Sequence, residues 1–472
     1  MGAGGIKLRR SDYTVAIKIT DEEHLLFHGY SGAVDIVDAN IAGALSEGDL
    51  KELSSDVLQK LRKRGYVTDK SPEEEQELVK KMAVAMHKSR KPPSFMLILS
   101  YDCNLRCIYC YQQRDHLKNR DSCRFKTITP ELIDKAFNVM DKLVEEFVKE
   151  SKADLDSKPC VGLYGGEPFL IHNYEALRYA VKKGKELGYT FSAITNGTQI
   201  DKFLDLLESP ALFRGFQITL DGPEEIHNRR RIYPGGEGSF SDIARNVSTL
   251  LKLGYSIDLR VNVDGHNIKY LKQLDEFITS QGWNRYRNFR AYCSVVRLKG
   301  GKRVIDEMIL QQAISELPRD SALRSIPHPI YRIFRKVFEQ GGLIEFGINP
   351  CGAVAGQLIF DPFGDLYTCW DIVGCSEHKV GRYYPVLKFN RKLDEWRNRT
   401  VANIPECLKC PYLFLCKGGC AQYAYFNSGS IYSPFCDQFP QMFEYQVKLA
   451  YCDFRLEQMK TSLAAQEGLV IP

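Results

Sequence analysis

Ser100-Tyr101-Asp102-Cys103-Asn104-Leu105-Arg106-Cys107-Ile108-Tyr109-Cys110 sets three cysteines at C-x3-C-x2-C spacing. The string follows an apolar run, Ser94–Ser100, that reads as a strand, so the cysteines fall where strand gives way to loop. Outward from it, residues from about 94 to 295 alternate strand and helix. Further strands are expected at Val161–Tyr164, Thr190–Thr195, Phe216–Leu220, Ile257–Val263 and Phe289–Cys293. Helices are expected at 130–149, 174–187, 200–208, 240–253 and 268–280, the first with Thr129 as N-cap and Pro130 at its first position. Short apolar strands separated by helices predict a parallel sheet covered by helices. Six repeats predict an α/β fold, a partial (β/α)6 barrel, although a flat doubly wound sheet would give the same pattern.

Composition narrows the class. The chain has 472 residues, with 64 basic against 59 acidic and a net charge of +5. That even, scattered balance argues against nucleic acid as a partner. No apolar stretch reaches 18 residues, so no membrane span is expected. The N-terminus has no apolar run behind its charges, and Ile6 breaks the myristoylation pattern. The expected location is the cytoplasm. Thiols stay reduced there, so the 15 cysteines need an explanation other than disulfides. Ten of the 15 fall in clusters, which points to metal.

In the first cluster, three cysteines can hold three irons of a [4Fe–4S] cube and leave one open. Four would make a plain electron carrier. The amino and carboxylate groups of S-adenosylmethionine (SAM) suit the open iron, and a reduced cluster can pass an electron to its sulfonium and release a 5′-deoxyadenosyl radical. The alternative is a three-cysteine zinc site, but the Asn-Leu-Arg insert and the aromatic residue before Cys110 fit a zinc knuckle poorly. The string resembles the signature of the radical SAM superfamily.

That resemblance covers residues 94–295 and implies a set of SAM contacts. Gly165-Gly166-Glu167-Pro168, after the second strand, matches the family motif that receives the methionine ammonium, and glycines allow close backbone approach. Asn196, in Thr195-Asn196-Gly197, is implied at the ribose or amino-acid end. Thr219 and Arg231 match a hydroxyl residue and an arginine that contact SAM, the arginine suiting its carboxylate. Arg229 and Arg230 adjoin Arg231, so the choice among the three is open. Tyr109 is placed to meet the adenine. Arg260 and Asn262 are candidates to face into the barrel.

Residues 351–436 hold a second pattern: Cys351-x12-Gly364-x4-Cys369, then Cys407-x2-Cys410-x5-Cys416-x3-Cys420, then Cys436. It resembles the SPASM extension, with auxiliary iron–sulfur clusters, of certain radical SAM enzymes. The resemblance implies two auxiliary clusters, expected as [4Fe–4S]. Cys407, Cys410, Cys416 and Cys436 would hold one, and Cys351, Cys369 and Cys420 the other. Relatives have a further cysteine where this chain has Glu345, so Cys375, Cys293 or an open iron completes the second set. The alternative is a pair of structural zinc sites. Cys123, Cys160 and Cys452 read as ordinary thiols.

Residues 11 to 68 look like a small separate unit. Strands are expected at Thr14–Ile19, His24–His28 and Ala33–Val37, with helices near Ile41–Leu45 and Ser55–Arg64 and a charged helical linker over 70–90. This resembles the winged-helix-like element by which peptide maturases recognise a precursor, and it implies a leader-peptide partner bound by strand addition. The alternative is a dimerisation module. The expected domains are therefore 1–90, recognition-like with linker; 91–300, the barrel; 301–345, a helical bridge; and 346–472, a loop-rich auxiliary-cluster domain. The resemblance implies an oxidoreductase that takes a hydrogen from a peptide or protein and installs a crosslink, an epimerisation or an oxidation. It also implies an external electron donor such as flavodoxin or ferredoxin. The alternatives are a small-molecule or cofactor precursor as substrate, or formylglycine generation in sulfatases.

Overall fold

The computed structural model describes residues 8–87, 91–112, 126–152, 155 and 157–466. These fall into two compact units, each assembled from separate stretches of chain. One takes Met1–Ser89, Pro327–Pro350 and Arg399–Pro472; the other takes Arg90–Ile326 and Cys351–Asn398. The stretch 346–472, expected as one domain, is thus shared between them.

In the first unit, β1 (Arg9–Arg10) pairs antiparallel with β5 (Val67–Thr68), and β2 (Thr14–Lys18), β3 (Glu23–His28) and β4 (Val34–Asp38) form an antiparallel meander. The three strands and the helices Ala39–Glu47 and Ser55–Arg64 lie close to their expected places. Asp38 and Ser54 cap the helix starts, and Gly48 and Gly65, both left-handed, end them. The meander does not stand alone, because both of its faces are apolar. Leu26 packs with Leu45 and Leu61 of those helices. On the other face Val15, Ile17, Leu25 and Phe27 pack against Phe334 of the helix Pro329–Gln340 and against Phe443, Val447 and Ala450 of the helix Phe439–Gln466. An apolar sheet face must be covered by another layer, and here the C-terminal segment supplies it.

Two expectations change accordingly. The helix Pro72–His87 is more than a linker: it buries Glu75, Val79 and Ala83, and its apolar side joins Val401, Ile404 and Leu413. The C-terminal region is also less loop-like than expected. Its 28-residue helix carries a face with helical spacing at Phe443, Val447 and Ala450.

In the second unit all six expected strands appear: β6 (Ser94–Ile98), β7 (Val161–Tyr164), β8 (Phe191–Thr195), β9 (Phe213–Thr219), β10 (Ile257–Val263) and β11 (Phe289–Val295). Every neighbouring pair among them is parallel. Their spatial order follows the chain without reversal. A doubly wound sheet reverses its order at a switch point, so that alternative is excluded, and the order is that of an open barrel wall. The expected helices are present, including Pro130–Ser151 with its Thr129 cap. Beyond β6 the sheet continues through β12 (Gln357–Phe360), parallel to β6, and then β13 (Asp365–Tyr367), β14 (Gly381–Arg382) and β15 (Lys388–Phe389), all antiparallel. Strands this short leave no periodic signal, and sequence reasoning missed them.

The barrel strands also alternate more than expected. On β10, Ile257, Leu259, Val261 and Val263 are buried, while Asp258, Arg260 and Asn262 are only partly so. Register carries the polar row sideways: Thr219 lies opposite Arg260, and Tyr292 and Ser294 lie opposite Arg260 and Asn262. One face of this sheet is apolar and the other is polar.

Candidate active site

Parallel strands end on a common edge, and the loops that follow them build the site. The loop after β6 carries Cys103, Cys107 and Cys110. It is fixed to two neighbouring loops. Asn196 Nδ2 donates to Asn104 Oδ1 at 2.9 Å, and Asn104 Nδ2 donates to Thr198 Oγ1 at 2.9 Å. The backbone N–H groups of Arg106 and Ile108 donate to the carbonyls of Ile232 and Arg230, at 2.7 and 3.0 Å. Arg106 closes the loop on itself through its 2.7 Å bond to the Cys103 carbonyl.

The glycines after β7 are required by contact. Gly166 N–H donates to Ser100 O at 3.2 Å and Glu167 N–H to Asp102 O at 2.7 Å. A Cβ at Gly166 would lie 2.1 Å from the Asp102 carbonyl oxygen, and one at Gly165 would lie 2.6 Å from that of Ser100. Any side chain would push the cysteine loop away. Glu167 itself is buried, and its carboxylate accepts from Thr195 Oγ1 (2.6 Å), Asn196 N–H (2.6 Å) and Phe169 N–H (2.9 Å). Burial raises its pKa, and those three donors pull it back. The carboxylate therefore ties the strand-end loops together.

Asp221, two residues past β9, organises the opposite side. Its carboxylate accepts from the Tyr109 hydroxyl, from Asn262 N–H (2.9 Å) and from Arg230 Nε (3.5 Å). Its own N–H donates to His227 Nδ1 at 3.1 Å. That bond leaves the proton on Nε2, which faces Ser239 Oγ at 3.0 Å, and Ser239 donates to the Arg231 carbonyl at 2.7 Å. Burial and the two adjacent arginines hold His227 neutral, its pKa well below the usual value.

The three arginines separate. Arg229 is exposed and pairs with Glu225 one turn away. Arg230 is spent on Asp264, at 2.5 Å, and on the Asn262 carbonyl. Arg231 is buried and donates from Nη1 to the Tyr109 hydroxyl, while its Nε has no partner. Burial pushes the Cys107 thiol up to about 11, a rise that the Arg231 charge limits. Burial raises Cys103 too, with Cys107 and Glu167 adding to it. Thr219 is buried at the end of β9.

The cysteine loop has the donors and surroundings of a cluster site. Three free thiols lie in one another's field, beside an unpaired guanidinium nitrogen and backbone that only glycine permits. Three thiolates can serve as the terminal donors of three irons of a cube and leave its fourth iron open. The donor set fits a cube.

In the other unit Cys407, Cys410, Cys416 and Cys436 also share a field. Burial, with the neighbouring thiols adding to it, lifts Cys407 to about 12 and Cys416 to about 11. The Tyr13 hydroxyl donates to the Leu408 carbonyl, between the first two cysteines. Cys420 belongs to the same unit, whereas Cys351, Cys369 and Cys375 belong to the barrel unit. There Thr368 donates to the Ala353 carbonyl at 2.5 Å and holds Cys369 beside the turn that follows Cys351. Cys293 lies opposite Val261 on the apolar sheet face, among Asp275 and Glu307. Cys160 is half-buried, Cys452 is exposed and Cys123 lies outside the described residues.

Sequence reasoning missed Asp221, Asn104, Thr198 and a tyrosine pair, Tyr111 and Tyr164, whose hydroxyls share a hydrogen bond near Cys110. Nothing in the sequence around Asp221 marks its carboxylate as buried.

Comparison with known proteins agrees with this geometry. The model of the radical SAM superfamily matches residues 97–278. The cysteine-type anaerobic sulfatase-maturating enzyme of Clostridium novyi is 24% identical over 381 residues, covering 75% of this chain and 94% of that protein. The serine-type anaerobic sulfatase-maturating enzyme of Bacteroides thetaiotaomicron is 21% identical over 347 residues, covering 67% and 80%. A solved structure described as native anSMEcpe with bound AdoMet overlays with a TM-score of 0.53 at 18% identity, covering 77% of this chain and 99% of that one.

Proposed function

We propose that this radical SAM enzyme, whose cofactors are a [4Fe–4S] cluster and SAM, is a maturase that modifies a side chain of a peptide or protein. The observation that carries the reading is the length of the likeness: three quarters of the chain aligns with nearly all of a sulfatase-maturating enzyme. Oxidation of a cysteine or serine side chain is the modification this likeness favours.

In this reading Cys103, Cys107 and Cys110 hold the cluster. When bound, the cluster supplies the electron that cleaves SAM, and a hydrogen is then taken from the substrate. The chain's own residues do the positioning. Arg231 presents its partnerless Nε to the SAM carboxylate. Gly165 and Gly166 admit the ligand to the backbone, and Glu167 fixes Asn196. Tyr109, pinned by its hydroxyl, offers its ring to the adenine, and Thr219 adds a hydroxyl. Cys407, Cys410, Cys416 and Cys436 hold one auxiliary cluster, and Cys351 and Cys369 contribute to another. Cys293 is set aside because it faces the helices, which leaves Cys375 or an open iron.

The outer strand β4 is assigned to recruit the leader segment of a substrate by strand addition. An external carrier such as flavodoxin or ferredoxin supplies electrons. No helix among the described residues is long and apolar enough to cross a membrane.

The experiment is anaerobic SAM cleavage by reconstituted, reduced protein. The parent should release 5′-deoxyadenosine and oxidise a cysteine- or serine-bearing sulfatase peptide, read by mass. Replacing Cys103, Cys107 and Cys110 together with Ala should abolish both. Cleavage at the parent rate in the triple variant would refute the site, and an unchanged peptide mass would refute the substrate class.

A further inference from the structure

We infer that the hairpin of β14 and β15 is the docking face for an acidic one-electron carrier protein. The inference rests on the radical SAM reading, in which each SAM cleaved consumes one electron from outside. One electron leaves the reduced carrier, which is oxidised by one, and enters the enzyme's iron–sulfur groups, which are reduced by one.

Three features coincide at this hairpin. It ends the ten-stranded sheet, so the outer edge of β15 has no strand partner among the described residues. It lines a concavity of about 490 Å³ with Lys379, Arg382, Lys388 and Lys392, against a single acid, Glu377. Its tip carries Val386, 71% exposed, the most exposed large apolar side chain among the described residues. An apolar point ringed by cations matches a small, short-lived electron-transfer contact, steered by charge and weakened by salt.

The wiring is short. Lys379 and Arg382 both pair with Asp365, which is 5% exposed, so one carboxylate leaves a surplus of positive charge. Asp365 begins β13, and Cys369 follows four residues later. At about 3.3 Å per residue, that is roughly 13 Å of extended chain from the cationic rim to a proposed cluster ligand. The bland reading gives edge lysines the task of blocking aggregation, which would leave carrier kinetics indifferent to them.

The test uses the full, reconstituted chain with a flavodoxin as carrier. The variants are Lys388→Glu with Lys392→Glu, and separately Val386→Asp; none of these residues has been placed in the cluster or SAM site. Calorimetry measures binding of oxidised flavodoxin at low and high salt, and SAM cleavage is driven by reduced flavodoxin or by dithionite. The expected result is a tenfold or greater rise in Kd and in KM for flavodoxin, a flatter salt dependence, and unchanged cleavage with dithionite. Calorimetry needs no turnover, so failure of the radical SAM reading would leave the docking result standing. An unchanged Kd and KM for flavodoxin overturns the proposal. So does slower SAM cleavage with dithionite, because the substitutions would then act on the enzyme's own turnover and not on the carrier.

Discussion

Arg231 donates from Nη1 to the Tyr109 hydroxyl, 2.9 Å away, and so joins the loop after β9 to the residue between two cysteines. Asn262 donates to the same oxygen at 3.1 Å, and the hydroxyl donates on to Asp221. A guanidinium held this way is aimed before any ligand arrives.

Arg231→Lys should therefore weaken SAM binding by roughly 10- to 100-fold, the scale of a charge-assisted hydrogen bond of about 1.5–3 kcal/mol. Arg229→Gln should change it little, since Arg229 is an exposed surface partner. Equilibrium dialysis with labelled SAM separates the two. Equal losses would reject the assignment.

Glu167→Gln should destabilise the barrel unit by about 1–3 kcal/mol. The carboxylate accepts three hydrogen bonds, and an amide would turn an N–H toward at least one of those donors. The denaturation midpoint of the protein without cofactors measures this directly.

Asp361 sets a pH dependence. It is fully buried; its carboxylate accepts from Tyr101 and from the N–H groups of Phe363 and Asp365, and burial, with the nearby Asp365, lifts its pKa to about 7. A folded-state pKa raised above the unfolded value favours the protonated form. The stability is complete below about pH 4 and is lost as pH rises through 7, by an amount on the order of 4 kcal/mol. Asp361→Asn should flatten that decline and be the more stable protein at pH 8. Denaturation midpoints from pH 4 to 8 decide it.

Tyr13→Phe should lower both thermal stability and iron content. It removes the donor to the Leu408 carbonyl, at a cost of about 1–2 kcal/mol. It also loosens the turn that carries Cys407 and Cys410. Metal analysis of the parent should give about 12 irons per chain if three cubes are complete. Four irons with two zincs would refute the auxiliary clusters. Ile36→Asp on β4, whose Ile36 is 39% exposed, should weaken leader-peptide binding while leaving the core intact.

Local signals made much of the fold legible. Thr129 and Pro130 announced a helix, Gly65 ended one, and apolar runs located the six barrel strands to within three residues at either end. Cysteine spacing marked the two regions proposed to hold metal. Long-range partnership was not legible. Tyr101 meets Asp361 across 260 positions, and nothing near either residue announces the other. Glu75 reads as one of several helix acids, yet it is buried under Ser11, Arg9 and Tyr30, which donate to it. The arginine run separated into three environments only when tertiary neighbours were present.

The two-faced meander near the N-terminus also sets a schedule for synthesis. Val15, Ile17, Leu25 and Phe27 leave the ribosome about 410 residues ahead of Phe439–Gln466, a helix that covers them. At roughly 5–20 residues per second, the intervening chain takes tens of seconds to translate. For that time the nascent protein presents a greasy sheet with no lid, an obvious client for a ribosome-bound chaperone. A substitution that disturbs the helix Phe439–Gln466 would thus be felt at β2 and β3, as aggregation of newly made chain.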